Sequence, residues 1–234
     1  MILLLMACSA RLVEVSGVVS DAHSGKSHPV PQADVFSHDW TTELIDQDTS
    51  GPEGFFSVMA TRGAPLYLHL QAEGYVDTMI WGSTGQEDLK VERGVVWLQT
   101  PEAAAEVETL FAGCPGIGEG ATIEGELRAN VYGYDVVDGE WPLVAVGRVQ
   151  VSTEDGTELS TCYLDDEGLA YNPDATETGQ TGRFAIFGVP EGRVQVHTEM
   201  GSDGQDLSSQ DYVGWMSEGS VLPLYPLYVP LPAT

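Results

Sequence analysis

The sequence predicts an all-β chain: two tandem β-sandwiches joined by a short helix. Three observations predict it. Short runs of alternating apolar and polar residues are separated by turn signals at roughly 8–12-residue spacing. One order of strands and turns is written twice along the chain. An Ala- and Glu-rich run separates the two copies. The expected boundaries are 9–100 for the first sandwich, 101–120 for a helical connector and 121–234 for the second sandwich, with an acidic insertion at 155–177.

The elements follow in chain order. Met1 to Ala7 is an uncharged apolar stretch that ends at Cys8. Leu5-Met6-Ala7-Cys8 resembles the lipobox of bacterial lipoproteins, with an aliphatic residue at −3 and a small one at −1. The resemblance implies cleavage before Cys8 and acylation of its thiol and new amine. Residues 1–8 then read as a lipoprotein signal, and the mature protein as exported and held to the cell envelope by its N-terminal lipid. Secretory signals carry a basic segment ahead of the apolar one; none stands here, so the expected initiation site lies upstream. Ser9 after the Cys implies the outer membrane under the enterobacterial sorting rule.

The first copy begins with Val13-Glu-Val15-Ser-Gly17-Val-Val19, whose alternation reads as a strand. Ser20 to Lys26 is a turn by composition. Pro29-Val-Pro31-Gln-Ala33-Asp-Val35-Phe opens the next strand, its prolines at the start, where a missing N–H is tolerated. Thr49 to Gly54 is a turn leading into Phe55-Phe56-Ser-Val58. Pro65-Leu66-Tyr-Leu68-His-Leu70 alternates again, Glu73-Gly74-Tyr75 ends it, and Val95-Val-Trp97-Leu98 closes the unit. In the second copy Ile123-Glu-Gly125-Glu-Leu127 matches Val15 to Val19. Pro142 to Val151 matches the Pro-Val-Pro segment. Thr178 to Ile186 matches the Gly-x-Phe turn and strand, and Pro190-Glu-Gly192-Arg-Val194-Gln-Val196 matches the strand that follows. The Gly of Gly-x-Phe is expected at positive φ. Phe56 and Phe184 are then expected in the core, with Ser57 and Ala185 facing outward.

The shared order resembles the carboxypeptidase regulatory-like domain, a sandwich of transthyretin-like topology. Val15-Ser-Gly17, Thr49, Gly54, Phe56 and Gly74-Tyr75 carry the likeness in the first copy. Ile123-Glu-Gly125, Thr178, Gly182, Phe184 and Pro190-Glu-Gly192 carry it in the second. It covers about two thirds of the chain and implies two tandem Greek-key sandwiches with no catalytic domain attached. Two departures stand out. Arg62-Gly63-Ala-Pro65 replaces an expected Pro-x-Gly, and the 155–177 insertion precedes Thr178.

Between the copies, Pro101 suits the first turn of a helix and Gly113 the position after its end. Val107, Leu110 and Phe111 make one apolar face. The tail from Val221 to Pro232 reads as a Pro-broken edge strand or an extended arm.

Charge bounds the partners. With 9 basic and 36 acidic side chains the formal charge is −27. Residues 9–100 hold 5 basic and 13 acidic groups, and residues 101–234 hold 4 and 23. A nucleic-acid partner needs a basic face, and anionic lipid repels this chain, so the only membrane contact expected is through the N-terminal lipid. No apolar run approaches the roughly 20 residues of a membrane span. Three Cys exclude a disulfide-dense miniprotein.

Candidate sites are few. With Cys8 lipidated, Cys114 and Cys162 remain as an even pair that an exported protein can bridge; two separate thiols are the alternative. No cofactor is expected, save a structural Ca²⁺ held by Asp165, Asp166, Asn172 and Asp174 in the insertion, a cation that takes 6–8 oxygen ligands. The alternative is a solvated acidic loop packed through Tyr163, Leu169 and Tyr171. His23, His28 and His38, with Asp21, Asp34 and Asp39, lack zinc-site spacing and read as surface residues of turns. There is no Gly-x-Ser-x-Gly elbow, and acidic residues are too widespread to single out a glycosidase pair. Trp40 and Trp141 lie in turn-like segments, placed either to stack on a glycan ring or to pack in the core. The expected function is a non-catalytic envelope lipoprotein acting as a binding or structural module. The alternatives are a starch-binding-like carbohydrate module and a hydrolase built on acidic loop residues. Its glycan or envelope-protein partner is not named by the sequence.

Overall fold

The computed structural model describes residues 11–21, 28–91, 95–130, 147–202 and 205–230, with backbone alone for 128–130, 200–202, 205–208 and 225–230. Among the described residues the protein is all-β apart from one helix. It divides into two compact units, Met1–Glu73 with Ile80–Leu98, and Gly74–Met79 with Gln99–Thr234.

The strands of the first unit are β1 (Leu12–Val18), β2 (Ser20–Asp21), β3 (Asp34–His38), β4 (Leu44–Thr49), β5 (Phe55–Thr61), β6 (Pro65–Gln71), β7 (Thr78–Ser83, whose first two residues belong to the second unit), β8 (Leu89–Lys90) and β9 (Trp97–Leu98). Strand β1 lies between β5, antiparallel, and β8, parallel. Strand β3 lies between β4 and β6, antiparallel to both. Alternate residues turn inward, as a strand's two-residue period requires: Val13 and Val15 on β1, Phe56, Val58 and Ala60 on β5, Val35 on β3, Leu68 and Leu70 on β6. The outer edge of β5 is closed without a ladder. Its Ser57 and Met59 N–H groups donate to the carboxylates of Asp48 and Asp46 on β4, both at 2.8 Å. Carboxylates on an open edge satisfy its donors and discourage pairing with another chain.

The second unit holds α1 (Pro101–Leu110) and β10 (Ala121–Asn130), β11 (Gly147–Thr153), β12 (Glu158–Leu159), β13 (Cys162–Tyr163), β14 (Arg183–Val189), β15 (Gly192–Ser202), β16 (Gln205–Met216) and β17 (Val221–Pro230). Its pairings repeat those of the first. Strand β10 lies between β14, antiparallel, and β17, parallel. Strand β11 lies between β12 and β15, and β15 continues to β16. The register repeats as well. Gly17 faces Phe56, Ser16 faces Ser57 and Val15 faces Val58. Gly125 faces Phe184, Glu124 faces Ala185 and Ile123 faces Ile186. The Pro-rich tail is β17, paired along one side with β10 and on the other through Val221 with Thr78. That pairing leaves its prolines in an edge-like setting.

The Gly-x-Phe turns stand as expected: Gly54 has φ 71° and Gly182 φ 66°, and Phe56 and Phe184 are fully buried. Two readings are corrected. The hydroxyl that matches Thr178 is that of Ser50 and not Thr49, because both lie four residues before the turn glycine. Ser50 Oγ accepts from Ala33 N at 2.9 Å and Thr178 Oγ1 from Gly147 N at 3.1 Å, each closing the start of the neighbouring strand. Ala185 is buried and not outward. Helix α1, capped by the Thr100 hydroxyl on Ala103 N, packs with the following loop over that face. Phe111, Cys114, Cys162, Leu164, Ala185 and Phe187 form one apolar cluster there, with Val107, Leu110 and Tyr171 against it.

Candidate functional site

Cys8 and Trp141 lie outside the described residues. Cys114 and Cys162 are joined in a disulfide with Cα atoms 6.1 Å apart, closing a separation of 48 residues. The bridge sits inside the cluster under α1.

The insertion's Asp165 and Asn172 oxygens are engaged within the loop itself. Among the described residues no three His, Cys, Asp or Glu side chains group as metal ligands. The loop's acceptors close its own turns. Asp165 Oδ1 accepts from Leu169 N at 2.7 Å, and Asn172 Oδ1 from Asp174 N at 3.0 Å. Asp166 turns instead to an open groove that Glu126, Glu167, Gln180, Thr181 and Arg183 also line. Tyr163 is buried, its hydroxyl bonded to the Val149 N–H at 2.8 Å and carbonyl at 3.0 Å, whereas Leu169 is exposed.

Trp40 is 55% exposed, on the turn between β3 and β4. That turn is firmly built. Asp39 Oδ1 accepts from Thr41 N, Thr41 Oγ1 and Glu43 N at 2.7, 2.6 and 3.1 Å. Burial pushes the Asp39 carboxyl up, but these bonds outweigh it and hold the group below its ordinary value. His38 Nδ1 meets the Thr42 carbonyl at 3.2 Å. His23 lies outside the described residues.

Two sites escape the sequence pattern. The first surrounds Glu124. Alternation along Ile123-Glu-Gly-Glu-Leu127 places Glu124 outward, yet it is 2% exposed because α1 and Gln99 cover that face. Burial raises its pKa to about 7 against the charge of Arg183 and a hydrogen bond from the Gln99 side chain. A cavity of about 330 Å³ reaches Glu124 and Gln99, walled by Val76, Ala104, Val107, Phe187 and Val221. The usable signal was the amphipathic helix itself: a helix that packs on a sheet must cover one of its polar faces.

The second lies on the outer face of β15 and β16. His197 Nδ1 is 2.6 Å from Asp211 Oδ1 and its Nε2 is 3.0 Å from Glu199 Oε1. The Asp211 hydrogen bond, opposed by slight burial and helped by Glu199, raises the imidazole pKa. With both ring nitrogens engaged by carboxylates, the protonated form of the ring is favoured. The spacing His197-x-Glu199 on one strand, two residues apart and so on one face, was legible. Its partner Asp211 needed the β15–β16 register.

Neither a protein-family model nor a curated protein matches the sequence. Solved structures give remote matches. The Bacillus anthracis TIE protein is 10% identical over 93% of this chain, with TM-score 0.32; the chain spans 34% of its length. The minor pilin GBS52 of Streptococcus agalactiae is 8% identical over 95% of this chain and 97% of its own, with TM-score 0.34. The shaft pilin SpaA of Lactobacillus rhamnosus GG is 11% identical over 96% and 98%, with TM-score 0.28. No helix among the described residues is long and apolar enough to cross a membrane.

Proposed function

We propose that the chain is an exported, lipid-anchored envelope protein, a non-catalytic structural or binding module built from two tandem carboxypeptidase regulatory-like sandwiches. The observation that carries this reading is the repetition. Register, hydroxyl cap and Gly–Phe pair recur in both units, so the shared residues serve the scaffold. The Leu5-Met6-Ala7-Cys8 sequence supports the anchor. The charge of −27 supports a surface that stays soluble and apart from its neighbours. Labelling with a fatty-acid analogue in a bacterial host tests it. The full chain is expected to take up label and fractionate with the envelope, and Cys8→Ala to lose both. An unlabelled full chain, or label that persists in Cys8→Ala, overturns the anchor.

Trp40 favours a second reading as a glycan-binding module, because a pinned turn presents an exposed indole at little ordering cost. Retardation in a starch-containing gel, abolished by Trp40→Ala, is the expected result. Absence of retardation removes this reading and leaves the anchor untouched.

A further inference from the structure

We propose that the cavity between α1 and β10 in the second unit is a binding site for a small organic cation, a primary alkylammonium. This goes beyond the envelope reading and does not depend on it.

Two buried polar side chains define the polar end. Glu124 is 2% and Gln99 4% exposed, and both line the cavity. Gln99 Oε1 is buried and has no hydrogen-bond partner. Its amide already serves Glu124 as a donor, so what the pair lacks is donors. An ammonium group carries three and no acceptor. It satisfies Gln99 Oε1 and neutralises the Glu124 carboxylate together. A buried acceptor left without a donor is destabilising, which gives the protein a reason to take a donor there.

The walls select the rest of the ligand. Val76, Ala104, Val107, Phe187 and Val221 are apolar and suit an alkyl chain. The volume of about 330 Å³ is at the small end of ligand sites. Glu108 and Glu119 line the same cavity and are exposed, so the approach is acidic. A hard divalent ion fits poorly. It takes 6–8 oxygens, and no three acidic or His side chains group as ligands among the described residues.

Protonation then couples to binding. The groups facing Glu124 are Gln99, Arg183 and the cavity's Glu108 and Glu119. Arg183 does not bring the carboxyl down to its ordinary range: it keeps its proton to about pH 7. The ammonium displaces that proton, so binding is expected to release one below this pH and to weaken on the order of 100-fold from about pH 8 to about pH 5.

The test is calorimetric titration of the oxidised full chain with n-butylammonium at about 0.15 M salt, which screens surface charge. Saturable one-site binding near pH 8 is expected. Glu124→Gln should lose it while folding at least as stably at that pH, since it removes a buried ionisation. Ala104→Leu should lose it by filling the cavity with a good helix former, which keeps the test open if the first variant misfolds. Glu158→Gln, an exposed acid elsewhere, should bind within about twofold of the parent. Absence of saturable binding overturns the proposal. So does binding that survives Ala104→Leu or a folded Glu124→Gln, or Ca²⁺ competing for the same site.

Discussion

The two units carry the same pairings, and they differ most at one equivalent position. Ser16 and Ser57 face each other in the first unit and are half-buried. Glu124 and Ala185 face each other in the second and are buried. The inner faces are alike: Val15 and Phe56, or Ile123 and Phe184, all fully buried. What changed is the outer face of the same sheet. In the second unit a helix and a disulfide-bonded loop cover it, turning a two-layer architecture locally into three layers. A polar position of the repeat thereby became an interior one. A sheet's polar face is thus not a fixed property of its sequence. It depends on what the chain lays over it.

The largest break in the comparison comes from the disulfide. Replacing Cys114 and Cys162 by Ala frees a 48-residue separation. The chain-entropy model puts the cost at about 4 kcal/mol. It should fall on the second unit alone. Amide exchange reads this directly: protection around Ala185 is expected to collapse while Ser57 on β5 keeps its protection. Equal loss at both places would mean that the units do not differ in the way argued.

A smaller effect sharpens the same contrast. Gly17 and Gly125 are equivalent, and each lies under a phenylalanine ring across the ladder. A Cβ at Gly125 would meet the Leu224 carbonyl oxygen at 2.6 Å and the Phe184 ring at 2.7 Å. The atoms nearest a Cβ at Gly17 belong to side chains, Phe56 at 3.1 Å and Val91 at 3.3 Å. Side chains yield where backbone does not. Gly125→Ala should cost about 3 kcal/mol and Gly17→Ala about 1 kcal/mol, spanning the usual range for overpacking. Denaturant midpoints at unchanged m-value decide it. Equal costs would show that β17 yields as readily as a side chain.

The repeat was legible because its signals are short-range. Gly-x-Phe fixes a turn and an inward ring within three residues, and both copies obey it. The helix was legible from Pro101 and the Val107, Leu110 and Phe111 spacing, and Phe111 is buried as that face requires. Ala185 was misplaced, and Glu124 passed unnoticed, because period-2 alternation says which residues share a face but not whether that face is covered. Thr49 was confused with Ser50 because adjacent hydroxyls look alike until the register of β3 is known. The acidic insertion stays ambiguous for a related reason. Asp and Asn supply metal ligands and turn caps with the same oxygens, and composition does not separate the two uses.

The smallest expected effect concerns pH, and it separates the units by window. In the first unit Asp39 is held below its ordinary value. Its contribution is present above the ordinary carboxylate range and is lost as pH falls through the folded value. In the second unit His197 is raised, chiefly by the Asp211 hydrogen bond. Its contribution is full below the ordinary imidazole value and fades as pH rises through the folded one. Glu124 acts in the same direction, because its raised pKa penalises folding once the carboxyl must ionise. The two separate in a Glu124→Gln background, where the remaining loss of stability above about pH 6.5 should vanish with His197→Gln. The partly exposed pair contributes little to stability, so imidazole proton shifts are the sharper measurement. The titration midpoint is expected above the ordinary imidazole value. Asp211→Asn should lower it more than Glu199→Gln, since the Asp211 bond is the larger cause. A midpoint at or below the ordinary value would mean that solvent, and not the two carboxylates, governs this face of the sheet.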